Sequence, residues 1–266
     1  MSKIGIIAGN GRFPFLVAEE IKRTGDQVYL AAIKEETDKN LEKLADKTRW
    51  LALGQIQKLI DFFKEENVKT AVMAGQVKHV QIFAVLKLDL RAAKMLASLK
   101  NKKTDSLLGA VADELSKDGI TLLPSHKYLR HLLPEKGMLI GRKPSKNEQD
   151  DIDFGFKTAK QIAGLDIGQT IVVKDKAVVA VESMEGTDEC IKRAFSLGKD
   201  RIIVIKVAKP NQDMRFDIPV IGPRTVSVMS ECKAGVLAVE SGSTLMIDRD
   251  QLVKSAKEKG ITIIAL

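Results

Sequence analysis

The chain has 266 residues, 44% of them hydrophobic and 29% charged, with a formal net charge of +8. That is ordinary globular composition and excludes a disordered chain, and apolar runs such as 202–205 fall far short of the roughly 20 residues that span a bilayer. The length suits one large domain or two ordinary ones.

The positive excess suits anionic ligands of several kinds, but lysines are spread along the chain and interleaved with acids, as in 35–47. A solvated surface reads that way more than a nucleic-acid footprint does. Aromatic residues make up only 5%, so stacking platforms for single strands are scarce, and no nucleic-acid partner is expected. The two cysteines, Cys190 and Cys232, cannot build a disulfide framework and read as reduced thiols. The N-terminus, Met-Ser-Lys, runs straight into a strand-like segment without a signal-peptide pattern, so a cytoplasmic protein is expected.

In chain order, 3–8 reads as a strand, 13–23 as a helix, 27–33 as a second strand, 55–66 as a helix and 70–74 as a buried strand. This β-α-β-α-β order predicts a Rossmann-like parallel sheet. A helix over 105–117 and a strand over 120–123 follow. Three prolines and two glycines then punctuate 124–144. Beyond them the alternation restarts: helix 148–163, strands 170–174 and 177–182, helix 187–195, strand 201–207, helix 224–232, strands 235–239 and 244–247, helix 249–259 and strand 261–265. The expected fold class is α/β: an N-terminal Rossmann-like domain over 1–123, a linker over 124–147 and a mixed α/β catalytic domain over 148–266.

Several segments have the residue types for chemistry. Gly9-Asn10-Gly11-Arg12-Phe13-Pro14 follows a strand and opens a helix, where backbone amides can receive phosphate. The dinucleotide fingerprint fails at Pro14, and no clean acid closes the second strand at Ile33-Lys34-Glu35, which argues against NAD. Gly75-Gln76 ends the third strand and should lie near the first turn. The stretch 80–100 places Val80, Phe83, Leu86, Leu90 and Leu96 among Lys87, Arg91, Lys94 and Lys100. It reads as a surface helix packed on its own domain in preference to a membrane-surface helix. Glu182-Ser-Met-Glu185-Gly186-Thr187-Asp188 closes a strand and opens a helix; local capping and recruitment of a divalent cation both explain it.

The most unusual stretch runs from Lys206 through Lys209, Asp213, Arg215 and Asp217 to Gly222 and Thr225. Its prolines stop regular structure, and its alternating cations and carboxylates are the mixture phosphoryl chemistry needs. Asp213 also reads as an ordinary loop acid, whereas Asp217 sits between Phe216 and Ile218-Pro219 and is the favoured functional residue. Walker A, H-E-x-x-H and G-x-S-x-G motifs are absent, and three histidines cannot assemble a histidine-rich dinuclear centre.

Taken in order, Ile4-Gly-Ile-Ile-Ala-Gly-Asn-Gly-Arg-Phe-Pro14, Ala74-Gly-Gln-Val77, Leu165-Asp-Ile-Gly-Gln169, Val181-Glu-Ser-Met-Glu-Gly-Thr-Asp188 and Lys209-Pro-Asn-Gln-Asp-Met-Arg-Phe-Asp-Ile-Pro-Val-Ile-Gly-Pro-Arg-Thr225 closely resemble the LpxI-type UDP-2,3-diacylglucosamine pyrophosphatases of lipid A synthesis. The resemblance runs from first strand to last. It implies a two-domain Mg²⁺-dependent hydrolase that yields UMP and 2,3-diacylglucosamine 1-phosphate (lipid X). It also implies that Asp217 is catalytic. With it, Glu185, Asp188, Asp213 and Asp217 become candidate Mg²⁺ ligands. Gly9, Asn10, Gly11, Gly75, Gln76, Asp105, Gln169, Gly186, Thr187, Lys209, Arg215 and Thr225 become candidate substrate-binding residues. A UDP-linked glycolipid substrate, peripheral contact with an inner membrane surface and a homodimer complete the expectation. The alternative is a non-catalytic nucleotide- or lipid-binding regulatory protein.

Overall fold

The structure, a computed structural model, describes residues 1–77, 88–99, 104–216 and 218–266. Two units emerge. One comprises residues 1–129 with 213–216; the other comprises 130–212 and 218–266.

The N-terminal unit is built on β1 (Lys3–Ala8), β2 (Gln27–Ile33), β3 (Lys47–Leu51), β4 (Thr70–Ala74) and β5 (Thr121–Leu122). The strand order is β3-β2-β1-β4-β5 and every pairing is parallel. The helices are α1 (Phe13–Arg23), α2 (Ile56–Glu65), α3 (Leu90–Ser98) and α4 (Thr104–Lys117). Ile4, Ile6 and Ala8 are buried on one face of β1, and Gly5 is buried on the other against Phe63 and Ala71, as expected of a central parallel strand covered on both faces. On α2 the helical spacing of Ile56, Leu59, Ile60 and Phe63 delivers one apolar stripe to a core shared with Tyr29, Ala71 and Leu115. Burial of each such side chain stabilises by about 1.5–3 kcal/mol.

Strand β3 was absent from the periodicity reading. Its sequence, Lys-Thr-Arg-Trp-Leu, lies at the edge of the sheet, pairs among the described residues with β2 alone and is half-exposed along most of its length. Helix α3 packs as an ordinary surface helix, with Ala92 and Met95 buried and Arg91 bridging to Glu114 and Asp118. Val80, Phe83, Leu86, Lys87 and Lys100 lie outside the described residues.

The C-terminal unit holds a mixed six-stranded sheet in the order β6-β13-β11-β9-β7-β8. Its strands are β6 (Leu139–Ile140), β7 (Thr170–Lys174), β8 (Ala177–Val181), β9 (Ile203–Lys206), β11 (Val236–Val239) and β13 (Thr262–Ala265). Strands β9, β11 and β13 are parallel, while β6, β7 and β8 run antiparallel to their neighbours. A separate parallel pair joins β10 (Val220–Ile221) to β12 (Leu245–Met246).

Period-two alternation divides the strands' side chains between two cores. Ile171, Val173, Ile203, Ile205, Val236 and Ala238 face α5 (Lys146–Gly164). Val172, Val204, Leu237 and Ile263 face α6 (Thr187–Gly198), α7 (Pro223–Glu231) and α8 (Arg249–Glu258). Helix α5 reaches the sheet through Gly155, where a Cβ would stand 2.1 Å from Ile205 Cδ1. Its N-terminus carries a full capping box: Ser145 Oγ accepts from the Glu148 amide, and Glu148 accepts from the Ser145 amide. Arg142 grips the same carboxylate at 2.6 and 2.7 Å and, with the cap, holds Glu148 down at about 2. Both cysteines are buried and free; burial pushes the Cys190 thiol up to about 12.

Candidate active site

In the N-terminal unit the strand order reverses between β1 and β4, which is where open parallel sheets collect ligands at their carboxyl ends. The Gly9 amide donates to Ala74 O at 2.9 Å, and Asn10 and Gln76 exchange backbone hydrogen bonds at 2.7 and 3.2 Å. Gly9, Asn10, Gly75 and Gln76 are therefore brought together, as the spacing predicts. The two glycines permit that clasp. A Cβ on Gly9 would lie 2.2 Å from Gln76 O, and one on Gly75, with φ of +89°, 2.5 Å from Asn10 O. Gly11 differs: its φ is +92° and nothing lies within 4 Å of the Cβ position. The Asn10 side chain donates to Glu36 Oε2 at 2.6 Å. Glu36 is only 7% exposed, so the expected solvated run over 35–47 contains a buried carboxylate beside the glycine turn. Its neighbour Thr37 anchors the bend by donating to Ala8 O and accepting from the Ile33 amide.

The segment 213–216 also belongs to the N-terminal unit. Phe216, 4% exposed, enters the core around Phe62 and Phe63, and Ser125 receives the backbone by donating its amide to Met214 O and its hydroxyl to Arg215 O. Arg215 forks onto Asp213 through Nε and Nη2 at 2.7 to 3.1 Å, which holds the Asp213 carboxyl below its ordinary range and raises Arg215. Asp105 lies in the first turn of α4, and Asp113 of the same helix adds a second negative charge near Arg215. Asp217 lies outside the described residues.

In the C-terminal unit the predicted residues surround the start of α6. Gly186, with φ of +83°, precedes the helix as its N-cap and offers no side chain to its first amides. The Thr187 hydroxyl donates to Glu182 Oε1 at 2.8 Å and accepts from Lys206 Nζ at 2.7 Å; Thr170 Oγ1 lies 3.5 Å away. Gln169, next to Thr170, receives the Val207 amide on its carbonyl. Lys209 reaches Asp166 at 2.7 Å, and Thr225 accepts from the Gly222 amide at the start of α7. Lys160 and the Ala208 amide converge on Glu240, bracing the strand ends.

Each of the three described candidate metal ligands is held by an arginine. Glu185 is held by Arg193 and the Ser183 amide, chiefly through the arginine, which lowers its pKa. Asp188 is paired with Arg224, and Asp213 with Arg215. Glu185 and Asp188 belong to one unit and Asp213 to the other, and no group of three His, Cys, Asp or Glu side chains gathers among the described residues.

The model of the LpxI N-terminal domain matches residues 3–132, and that of the LpxI C-terminal domain matches 135–264. The chain belongs to the LpxI family. A curated relative, the UDP-2,3-diacylglucosamine pyrophosphatase LpxI of Caulobacter vibrioides, is 28% identical over all of this chain and 98% of its own length. Among solved structures, N5-carboxyaminoimidazole ribonucleotide synthetase from Thermotoga maritima has 15% identity over 70% of this chain, with a TM-score of 0.29. The biotin carboxylase from Campylobacter jejuni, solved as its β-γ-ATP complex, has 12% identity over 74%, with a TM-score of 0.30. This chain covers only 43% and 42% of those two.

In LpxI terms, the C-terminal model spans the segment 213–216, whose backbone and Phe216 pack in the N-terminal unit. Lys206, Glu182 and Glu36 were not among the predicted site residues. Lys206 carried one signal, its place at the head of the charged stretch. Glu36 carried none, since its neighbours Lys34 and Glu35 read as surface.

Proposed function

We infer that this protein hydrolyses the pyrophosphate of UDP-2,3-diacylglucosamine to UMP and 2,3-diacylglucosamine 1-phosphate in lipid A biosynthesis. The observation that carries this reading is the end-to-end relation to the Caulobacter enzyme, together with both domain matches. Water adds to the phosphorus on the sugar side, the P–O bond to the bridging oxygen breaks, and that oxygen leaves with UMP.

Charge grows on the bridging and equatorial oxygens as the bond breaks, so cations placed beforehand lower the barrier. Arg215 and Lys209 are the proposed cations, each already oriented by a carboxylate, Asp213 and Asp166 respectively. Asp217 is the proposed water-orienting carboxylate, a role that contributes roughly 10²–10⁴-fold where the group acts as a general base. The Gly9–Gly11 turn and Gln76 are proposed to meet the nucleotide. The proposal includes a Mg²⁺ requirement. Mg²⁺ is usually held by one or two carboxylates plus phosphate oxygens, so it would arrive with the diphosphate and needs no three-carboxylate cage.

The two acyl chains place the substrate at a membrane, so the enzyme works from the cytoplasm with peripheral contact at the inner face of the inner membrane. Among the described residues no helix is long and apolar enough to cross it. Incubation of the purified protein with UDP-2,3-diacylglucosamine and Mg²⁺ should release UMP, and EDTA should stop it. Substrate binding without UMP release would favour a non-catalytic binder instead.

A further inference from the structure

Lys206 ends β9 in the interior of the six-stranded sheet, between β11 and β7, and is only 8% exposed. An ammonium has three donors, and a buried one is costly unless a negative charge faces it. Among the described residues Lys206 makes no ion pair within 4 Å, and Nζ donates to a single acceptor, Thr187 Oγ1 at 2.7 Å. Glu182 is held one hydroxyl away: it accepts from Thr187 at 2.8 Å, and its second oxygen is buried without a hydrogen-bond partner among the described residues. Glu182 thus orients the hydroxyl that orients the lysine. Two ammonium N–H bonds are left over.

That ammonium is aimed at the N-terminus of α6, a 12-residue helix whose N-cap, Gly186, supplies no side-chain acceptor. The first-turn amides and the helix dipole favour an anion there. The same point lies at the carboxyl end of β9, within the parallel strands β9, β11 and β13. A buried cation without a direct ion pair among the described residues, an uncapped helix start and a parallel-strand end therefore meet in one place. We propose that Lys206 and the first turn of α6 form a phosphate-binding subsite, with Lys206 as a binding residue for one phosphate of the diphosphate substrate. The identity of that ligand rests on the hydrolase reading above; the anion preference rests on the cluster itself.

The test uses the full-length chain, inorganic pyrophosphate as probe and UMP release as a second readout. Lys206→Gln keeps a donor for Thr187 but removes the charge. It should weaken pyrophosphate binding by about 10- to 100-fold, the range for hydrogen bonds to charged groups. kcat/KM for UMP release should fall at least as far, with a thermal midpoint no lower than the parent's. Lys206→Arg should retain more affinity than Lys206→Gln. A folded Lys206→Gln protein with parental pyrophosphate affinity and parental turnover overturns the subsite. If that variant does not fold, Thr187→Val removes the hydroxyl that links Lys206 to Glu182 and leaves the ammonium in place; weakened pyrophosphate binding supports the subsite and parental affinity overturns it. A parent that binds pyrophosphate through Lys206 but releases no UMP leaves the subsite standing and removes the hydrolase reading. UMP release and pyrophosphate binding both untouched by Lys206→Gln do the reverse.

Discussion

Two glycine turns that each lead from a strand into a helix, Gly9–Gly11 after β1 and Gly186 after β8, differ in physics. At the β1/β4 crevice the glycines serve a backbone clasp, and the Asn10 side chain is already bonded to Glu36. At the turn from β8 into α6 the Cβ position of Gly186 meets nothing within 4 Å, but a buried ammonium faces that helix start with donors to spare. A glycine-rich turn thus signals close approach of something, and here that something is first of all the protein's own backbone. A buried ammonium with no direct ion pair and donors to spare points to a ligand.

The largest effect expected belongs to neither turn. Asp217→Ala should cut kcat by roughly 10²–10⁴-fold while leaving the thermal midpoint near the parent value. Steady-state UMP release beside thermal unfolding measures both, and a parental kcat would remove Asp217 from the chemistry. The comparison itself is sharpened by two glycine substitutions. Gly9→Ala sets a Cβ against the Gln76 carbonyl, a backbone atom that cannot swing aside, and should destabilise by about 1–3 kcal/mol in urea unfolding. Gly186→Ala meets open space and incurs only the positive-φ penalty, about 1 kcal/mol. Equal losses would break the distinction drawn between the two turns.

An effect as small as that of Gly186→Ala is expected at the α5 cap. Glu148→Ala removes half of the capping box and the Arg142 partner, for about 1 kcal/mol near neutral pH. The folded-state pKa of Glu148 is depressed from 4.5 to about 2, so its contribution is full above pH 4.5 and fades as pH falls toward 2. The gap in stability between parent and variant should close over that window. A gap that persists at pH 2 would show that the carboxylate charge is not what the helix start uses.

Much of the fold was legible because burial on both faces writes continuous apolar runs. The bounds expected for β1, α1, β2, β4 and β7 are the ones observed. What escaped lay at edges or was very short. β3 is a charged edge strand, and β6 and β10 are two residues each, too few to show a period. The site was legible as motifs and not as a place. Phe216 carries 213–216 into the N-terminal core, yet in the sequence it is one aromatic among charges. Lys206 was visible as the head of a basic stretch, but its burial comes from strands far away in the chain, and no local pattern records that. Glu185, Asp188, Asp213 and Asp217 form a candidate ligand set through the family resemblance, and no local spacing announces that the first three each hold an arginine of their own unit.

Hydrolysis by water attack on the sugar-side phosphate fixes both the reaction and the atom attacked, and one isotope experiment reads both. Turnover of UDP-2,3-diacylglucosamine in H₂¹⁸O, followed by mass spectrometry of the products, should place one ¹⁸O in 2,3-diacylglucosamine 1-phosphate and none in UMP. Label in UMP would contradict the site of attack, and unlabelled, unreacted substrate would contradict the hydrolase itself.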